Sequence, residues 1–214
     1  MDESTRWTQT QILHGVRSAR LESWRALDDF TQHEGFEADD YIWRGQAKDW
    51  PLVPELYRDL DRYTAWAYDA ESEATHLDNF KKAYRSLPPE SVPPEPQDED
   101  SWWALGRHYG LATPLLDWTD SPLYAAFFAF VEDAGCCDRT RVVYALHRNC
   151  AKFAADALRV PDKRPTSGTG GMAHIVCPPR SDNPRLKAQS GLFTYLPVGF
   201  DIEAWLRAWP ADST

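Results

Sequence analysis

Apolar positions along this chain follow two spacings, and the alternation between them marks out its elements. Between residues 11 and 30, Leu13, Val16, Leu21, Trp24, Leu27 and Phe30 fall close to one face of a helix. From 62 to 87 a longer helical pattern runs through Tyr63, Trp66, Ala70, Ala74, Leu77, Phe80 and Tyr84. A short helix over 101–109 stops at Gly110, a residue suited to a C-cap. Ser121-Pro122 then reads as a helix start, with serine as the cap and proline in the first turn. The helix it opens, to about residue 132, is apolar on nearly every side, which predicts a central and buried element.

The other spacing belongs to strands. Tyr41-Ile42-Trp43 leads an apolar strand onto Arg44 and Gly45, where a bend is expected. Residues 141–147 form a β-branched strand, 174–177 another, and 191–196 the last. Asn183-Pro184 begins a short helix ending near Gln189, and Trp205, Leu206 and Trp209 belong to a final helix. Two stretches fit neither spacing. Trp50-Pro51-Leu52-Val53-Pro54 is a rigid extended connector, because each proline pushes the preceding residue away from helix. Residues 88–100 hold five prolines among acidic side chains, so an exposed loop is expected there, either a spacer or a lid or partner-binding segment. The Gly-rich stretch 166–171 lacks the lysine of a phosphate loop. Strands interleaved with helices in this order predict one α+β domain, a twisted and mainly antiparallel sheet with flanking helices and a core over about 20–200.

Composition narrows the function classes. A chain of 214 residues with 43% apolar and 13% aromatic residues can bury one substantial core. Most of its ten tryptophans are expected in that core. A net charge of −10 argues against a general nucleic-acid binder and against adhesion to anionic membranes, yet leaves room for a local basic pocket. No apolar run reaches 18 residues and the first residues are polar and acidic, so neither a membrane span nor a signal peptide is expected and the cytoplasm is the expected compartment. Four cysteines without metal-ligand spacing predict reduced thiols and no metal site.

The candidate chemistry centres on Arg44. A guanidinium offers five donors in a fixed fork suited to phosphate or carboxylate. Two roles are open to it: ligand contact, or an ion pair with Asp117 or Glu55. His108 is a candidate proton carrier and Tyr109 a candidate stacking surface, or both wedge their helix against the Arg44 strand. Asp117 could orient Arg44, since a buried arginine calls for a carboxylate. Thr119 and Ser121 stand at a helix N-terminus, whose free N–H groups suit an anion, although capping alone accounts for Ser121. No GxSxG or triad spacing supports a hydrolase.

Taken together, Trp43-Arg44-Gly45-Gln46, Leu52-Val53-Pro54 and the block from Leu105 through Gly110, Asp117-Trp118-Thr119 and Ser121-Pro122 to Ala129 resemble the FRG domain family. The stretch from Arg185 through Gln189 and Gly191 to Phe193 is similar to that family's closing motif. Two positions depart from the pattern: Arg107 stands where the family has glutamine, and Leu115 where it has arginine. The order of motifs is also similar, more distantly, to ADP-ribosyltransferases of the arginine–serine–glutamate type. That likeness implies NAD as substrate without a metal, with Arg44, His108 and Gln189 as catalytic residues. It further implies Arg44, Gly45, Tyr109, Thr119, Ser121 and Phe193 as NAD contacts, and Asp117 in a supporting role. An unknown macromolecular acceptor, an antitoxin or other partner protein, and a part in bacterial toxicity or phage defence would follow. Gln189 stands where those transferases carry glutamate, which keeps a hydrogen bond but loses a charge. The reading from a different class is a noncatalytic nucleotide- or peptide-binding module using the same cleft.

Overall fold

The computed structural model describes residues 7–9, 16–37, 39–58, 70–131, 140–157, 173–177, 192–198 and 201–203. The predicted helices over 183–189 and around Trp205 lie outside these residues, as do Gln189 and the first turns of the 62–87 pattern.

The described residues form an α+β fold with small antiparallel sheets. Strands β1 (Trp7–Gln9) and β2 (Ala19–Leu21) pair with each other. Helix α1 (Ala26–His33) follows, then strand β3 (Tyr41–Gln46). Helices α2 (Glu55–Arg58), α3 (Ala70–Arg85) and α4 (Glu99–His108) lead to strand β4 (Leu115–Trp118). Helix α5 (Pro122–Val131), strand β5 (Val142–His147), helix α6 (Arg148–Ala157) and strands β6 (His174–Val176) and β7 (Leu192–Tyr195) complete the order. β3 pairs with β5, and β4 pairs with β7, which also pairs with β6, all antiparallel. An antiparallel bridge between Trp43 and Thr119 ties the two groups together, with the Trp43 N–H 2.7 Å from the Thr119 carbonyl oxygen.

The sheet's period of two splits the core into two clusters. Leu116 and Trp118 face one way, with Ile42, Leu52, Leu146 and Leu196. Leu115, Phe193 and Tyr195 face the other, against Leu77, Tyr84, Trp102 and Trp103 of α3 and α4. In that second cluster the Glu73 side chain is 5% exposed and accepts hydrogen bonds of 2.6 Å from both Tyr57 and Tyr195. One carboxyl thus ties α2, α3 and β7 together.

Three sequence expectations need correction. Over its described part, from residue 16, the helix predicted over 11–30 is instead β2 followed by α1, whose buried residues are Ala26, Leu27, Phe30 and Thr31. The apolar spacing through Leu21 fits a helix, but pairing with β1 claims those residues for a strand. Gly45 makes no bend, because β3 runs straight through it. The glycine is needed because α5 lies against it: a Cβ there would sit 1.7 Å from the Ala125 carbonyl oxygen. Lastly, α5 is not buried all round; Ala125, Ala126 and Ala129 face inward while Leu123, Tyr124, Phe127, Phe130 and Val131 face out.

Elsewhere expectation and structure agree. Residues 49–54 belong to no helix or strand, as expected of a connector, although the Val53 N–H turns back to the Pro51 carbonyl at 2.9 Å. The loop predicted over 88–100 is mainly exposed up to Asp98, with one short 3-10 turn over Pro89–Ser91 and Arg85 clamping Glu95, but it ends two residues early, because Asp98 caps α4 and Glu99 and Asp100 open that helix. Gly110 has φ +84, and the N–H of Leu111 reaches the Gly106 carbonyl at 2.9 Å, closing α4 with a Schellman motif.

Candidate functional site

Strand β3 turns its side chains alternately to its two faces. Trp43 and Gly45 point to the face that α5 covers, so Ile42, Arg44 and Gln46 share the other. Arg44 reaches along that face to β4. Its Nη1 donates to the Asp117 carbonyl oxygen at 2.8 Å and lies 3.8 Å from the Asp117 carboxylate, while Nε donates to Gln46 Oε1 at 3.3 Å. Gln46 in turn donates to the Trp50 carbonyl at 2.9 Å, which anchors it to the connector that follows β3. Across the β3–β5 pairing Tyr144 stands opposite Arg44, and its hydroxyl donates to Asp49 at 2.8 Å. Burial, then the Asp49 carboxylate, pushes the Tyr144 hydroxyl well above the usual tyrosine range and keeps it a donor.

A second guanidinium enters from the last turn of α4. Arg107 grips Asp117 with two bonds, Nε to Oδ1 at 2.7 Å and Nη2 to Oδ2. Its Nη1 donates to Glu55 at 3.3 Å and to the Thr113 hydroxyl at 3.4 Å. Burial acts to lower the Arg107 pKa, but Asp117 and then Glu55 outweigh it and raise it, so the charge is fixed. The result is a layered arrangement. The guanidinium side chains are the more buried, Arg44 13% exposed and Arg107 23%, and the carboxylates lie nearer the solvent, Asp117 48% and Glu55 56%. Two cations and two anions make the cluster neutral, with directional donors below and carboxylate oxygens above.

The other predicted site residues take varied positions. Thr119 is 3% exposed, and its hydroxyl accepts the Ser121 N–H at 3.3 Å. Ser121 caps α5, its hydroxyl accepting from the Tyr124 N–H at 3.4 Å. Phe193 lies opposite Asp117 in the β4–β7 register, with its side chain in the core. His108 is exposed at the end of α4 and meets Tyr109 edge to face. The Tyr109 ring contacts Phe80 and Tyr84 of α3. Gln189 lies outside the described residues.

Sequence reasoning did not place Arg107, Gln46 or Tyr144 in the site. Gln46 was open to discovery, because a residue two along a strand shares its face. The departures from the family pattern also carried a signal. The guanidinium missing at Leu115 has a counterpart at Arg107, which holds Asp117 from the neighbouring helix while Leu115 packs into the core. Tyr144 enters only through strand pairing, which no local pattern discloses.

Residues 39–135 match the family model of the FRG domain, a span that includes Arg44, Glu55, Arg107, Asp117 and α5. The comparisons with curated proteins and with solved structures returned no match. No described helix is long and apolar enough to cross a membrane.

Proposed function

We propose that this FRG domain binds NAD at the Arg44–Arg107–Asp117 cluster and cleaves its nicotinamide–ribose bond, passing ADP-ribose to an acceptor or to water. The observation that carries this reading is the layering of two largely buried guanidiniums beneath two half-exposed carboxylates. Arg44 supplies a permanent charge and directional donors for a phosphate. Asp117 and Glu55 supply the negative charge that Gln189 lacks. In the reaction the ribose–nitrogen bond breaks and nicotinamide leaves with the bonding pair. Positive charge then develops on the ribose, beside the carboxylates, until an acceptor oxygen or water donates electrons to it and loses a proton. The similarity of motif order to the ADP-ribosyltransferases supports NAD over other anions, and a part in toxicity or phage defence would follow from it.

One observation favours a second reading, recognition without turnover. Both Asp117 carboxylate oxygens are engaged by Arg107, which blunts their charge. Titration calorimetry tests what the two readings share. NAD binds the wild-type chain, and Arg44→Ala weakens that binding at least ten-fold with the circular dichroism spectrum unchanged. Equal binding by the two proteins removes the cluster from consideration as the NAD site.

A further inference from the structure

Helix α5 has two faces of different character. Ala125, Ala126 and Ala129 are buried against β3, whereas Leu123, Tyr124, Phe127, Phe130 and Val131 are each between 51% and 60% exposed. At about 100° per residue these five side chains fall within an arc of about 120°, the width of stripe that a helix ordinarily turns toward a core. Here the small face turns inward because β3 approaches to the distance set by Gly45, and the large face is left outward. Apolar side chains gathered so closely mark an interaction surface rather than the scattered exposure of an ordinary monomer.

We propose that a second copy of the chain covers this face, with the two α5 helices packed antiparallel about a two-fold axis. Size is the first argument. Five half-exposed large side chains present roughly 500 Å² per copy, so pairing removes on the order of 1,000 Å² from water, enough for a modest but specific interface. Charge is the second. No acidic or basic residue lies within α5, so two chains of net charge −10 can meet there without like charges at the centre. The ends of the helix supply the third. Exposed Asp120 precedes its N-terminus, and at the other end the Arg141 guanidinium lies 5.7 Å from the centre of the Phe130 ring. An antiparallel pair sets Asp120 of each copy near Arg141 of the other, twice, as a two-fold contact requires. It also opposes the helix dipoles, whereas a parallel pair would set like charges together.

Sedimentation equilibrium on the full chain, from about 1 to 200 μM, tests the proposal. The wild type is expected at twice the chain mass of 24.5 kDa over the upper part of that range. Phe127→Glu shifts it to monomer with an unchanged circular dichroism spectrum, since the side chain faces water in the isolated chain. Asp120→Arg weakens the dimer several-fold, and adding Arg141→Asp restores it. Tyr124→Lys replaces Phe127→Glu should that variant not fold. A wild type that stays monomeric throughout, or a dimer indifferent to these changes, overturns the proposal; the first result would leave a different protein as the occupant of the face.

Discussion

At Gly45 the choice of residue is decided by contact with backbone. A methyl group there would meet the Ala125 carbonyl oxygen at 1.7 Å and the Ala129 nitrogen at 2.8 Å, and main-chain atoms inside a helix have little room to retreat. Gly45→Ala is therefore expected to cost about 3 kcal/mol or more, read as a lowered midpoint of urea unfolding. A glycine kept only for the approach of a ligand would give the opposite pattern, with unfolding unchanged and NAD binding lost. Neighbouring Arg44 was legible in the sequence because a cation at the end of an apolar strand has no packing reason to be there. Its partners were only half legible. Asp117 was named as its carboxylate, and the bond made is chiefly to the Asp117 carbonyl. The carboxylate itself is held by Arg107, a residue from a different helix.

At the scale of elements, β3, β5, β6 and β7 were readable because β-branched and aromatic runs bounded by turns leave few alternatives. The ends of α4 and the start of α5 were readable from Gly110 and Ser121-Pro122 for reasons of capping. The first 33 residues were not, since spacing alone does not separate a helix from short strands paired with each other. Nor was the orientation of α5. An apolar helix looks buried on composition, and only the close approach of β3 shows that its alanines face inward. Between elements, Glu73 is a tie with a pH signature. Burial pushes its carboxyl above the ordinary value of 4.5, against the pull of hydrogen bonds from Tyr195 and Tyr57. The folded chain then holds this proton more tightly than the unfolded chain. Stability from this group is greatest below the ordinary value and falls as pH rises from there through the raised folded value. Glu99, Asp100, His76 and His174 lie close enough to modulate the effect. Glu73→Gln cannot ionise, so its unfolding midpoint should vary less than that of the wild type from about pH 4.5 to 7. Parallel curves for the two proteins would assign the pH dependence elsewhere.

At the scale of the whole molecule, a chain of net charge −10 keeps two guanidiniums inside a neutral cluster whose carboxylates face the solvent. Long-range steering thus works against an anionic ligand, and affinity must come from directional bonds at the cluster itself. The similarity to the FRG family model, the α+β architecture and the place of Arg44 in a strand were within reach of the sequence, because each rests on local motifs. The two-layer site was not, because it depends on how α4 meets β4 across the second core cluster. The central claim is that this site turns over NAD, and free nicotinamide followed by chromatography after incubation with NAD tests it most directly. The wild type is expected to release nicotinamide with time, and Arg44→Ala to reduce the rate at least a hundred-fold while folding normally. NAD that remains intact with the wild type, or nicotinamide released equally by the variant, would contradict the account.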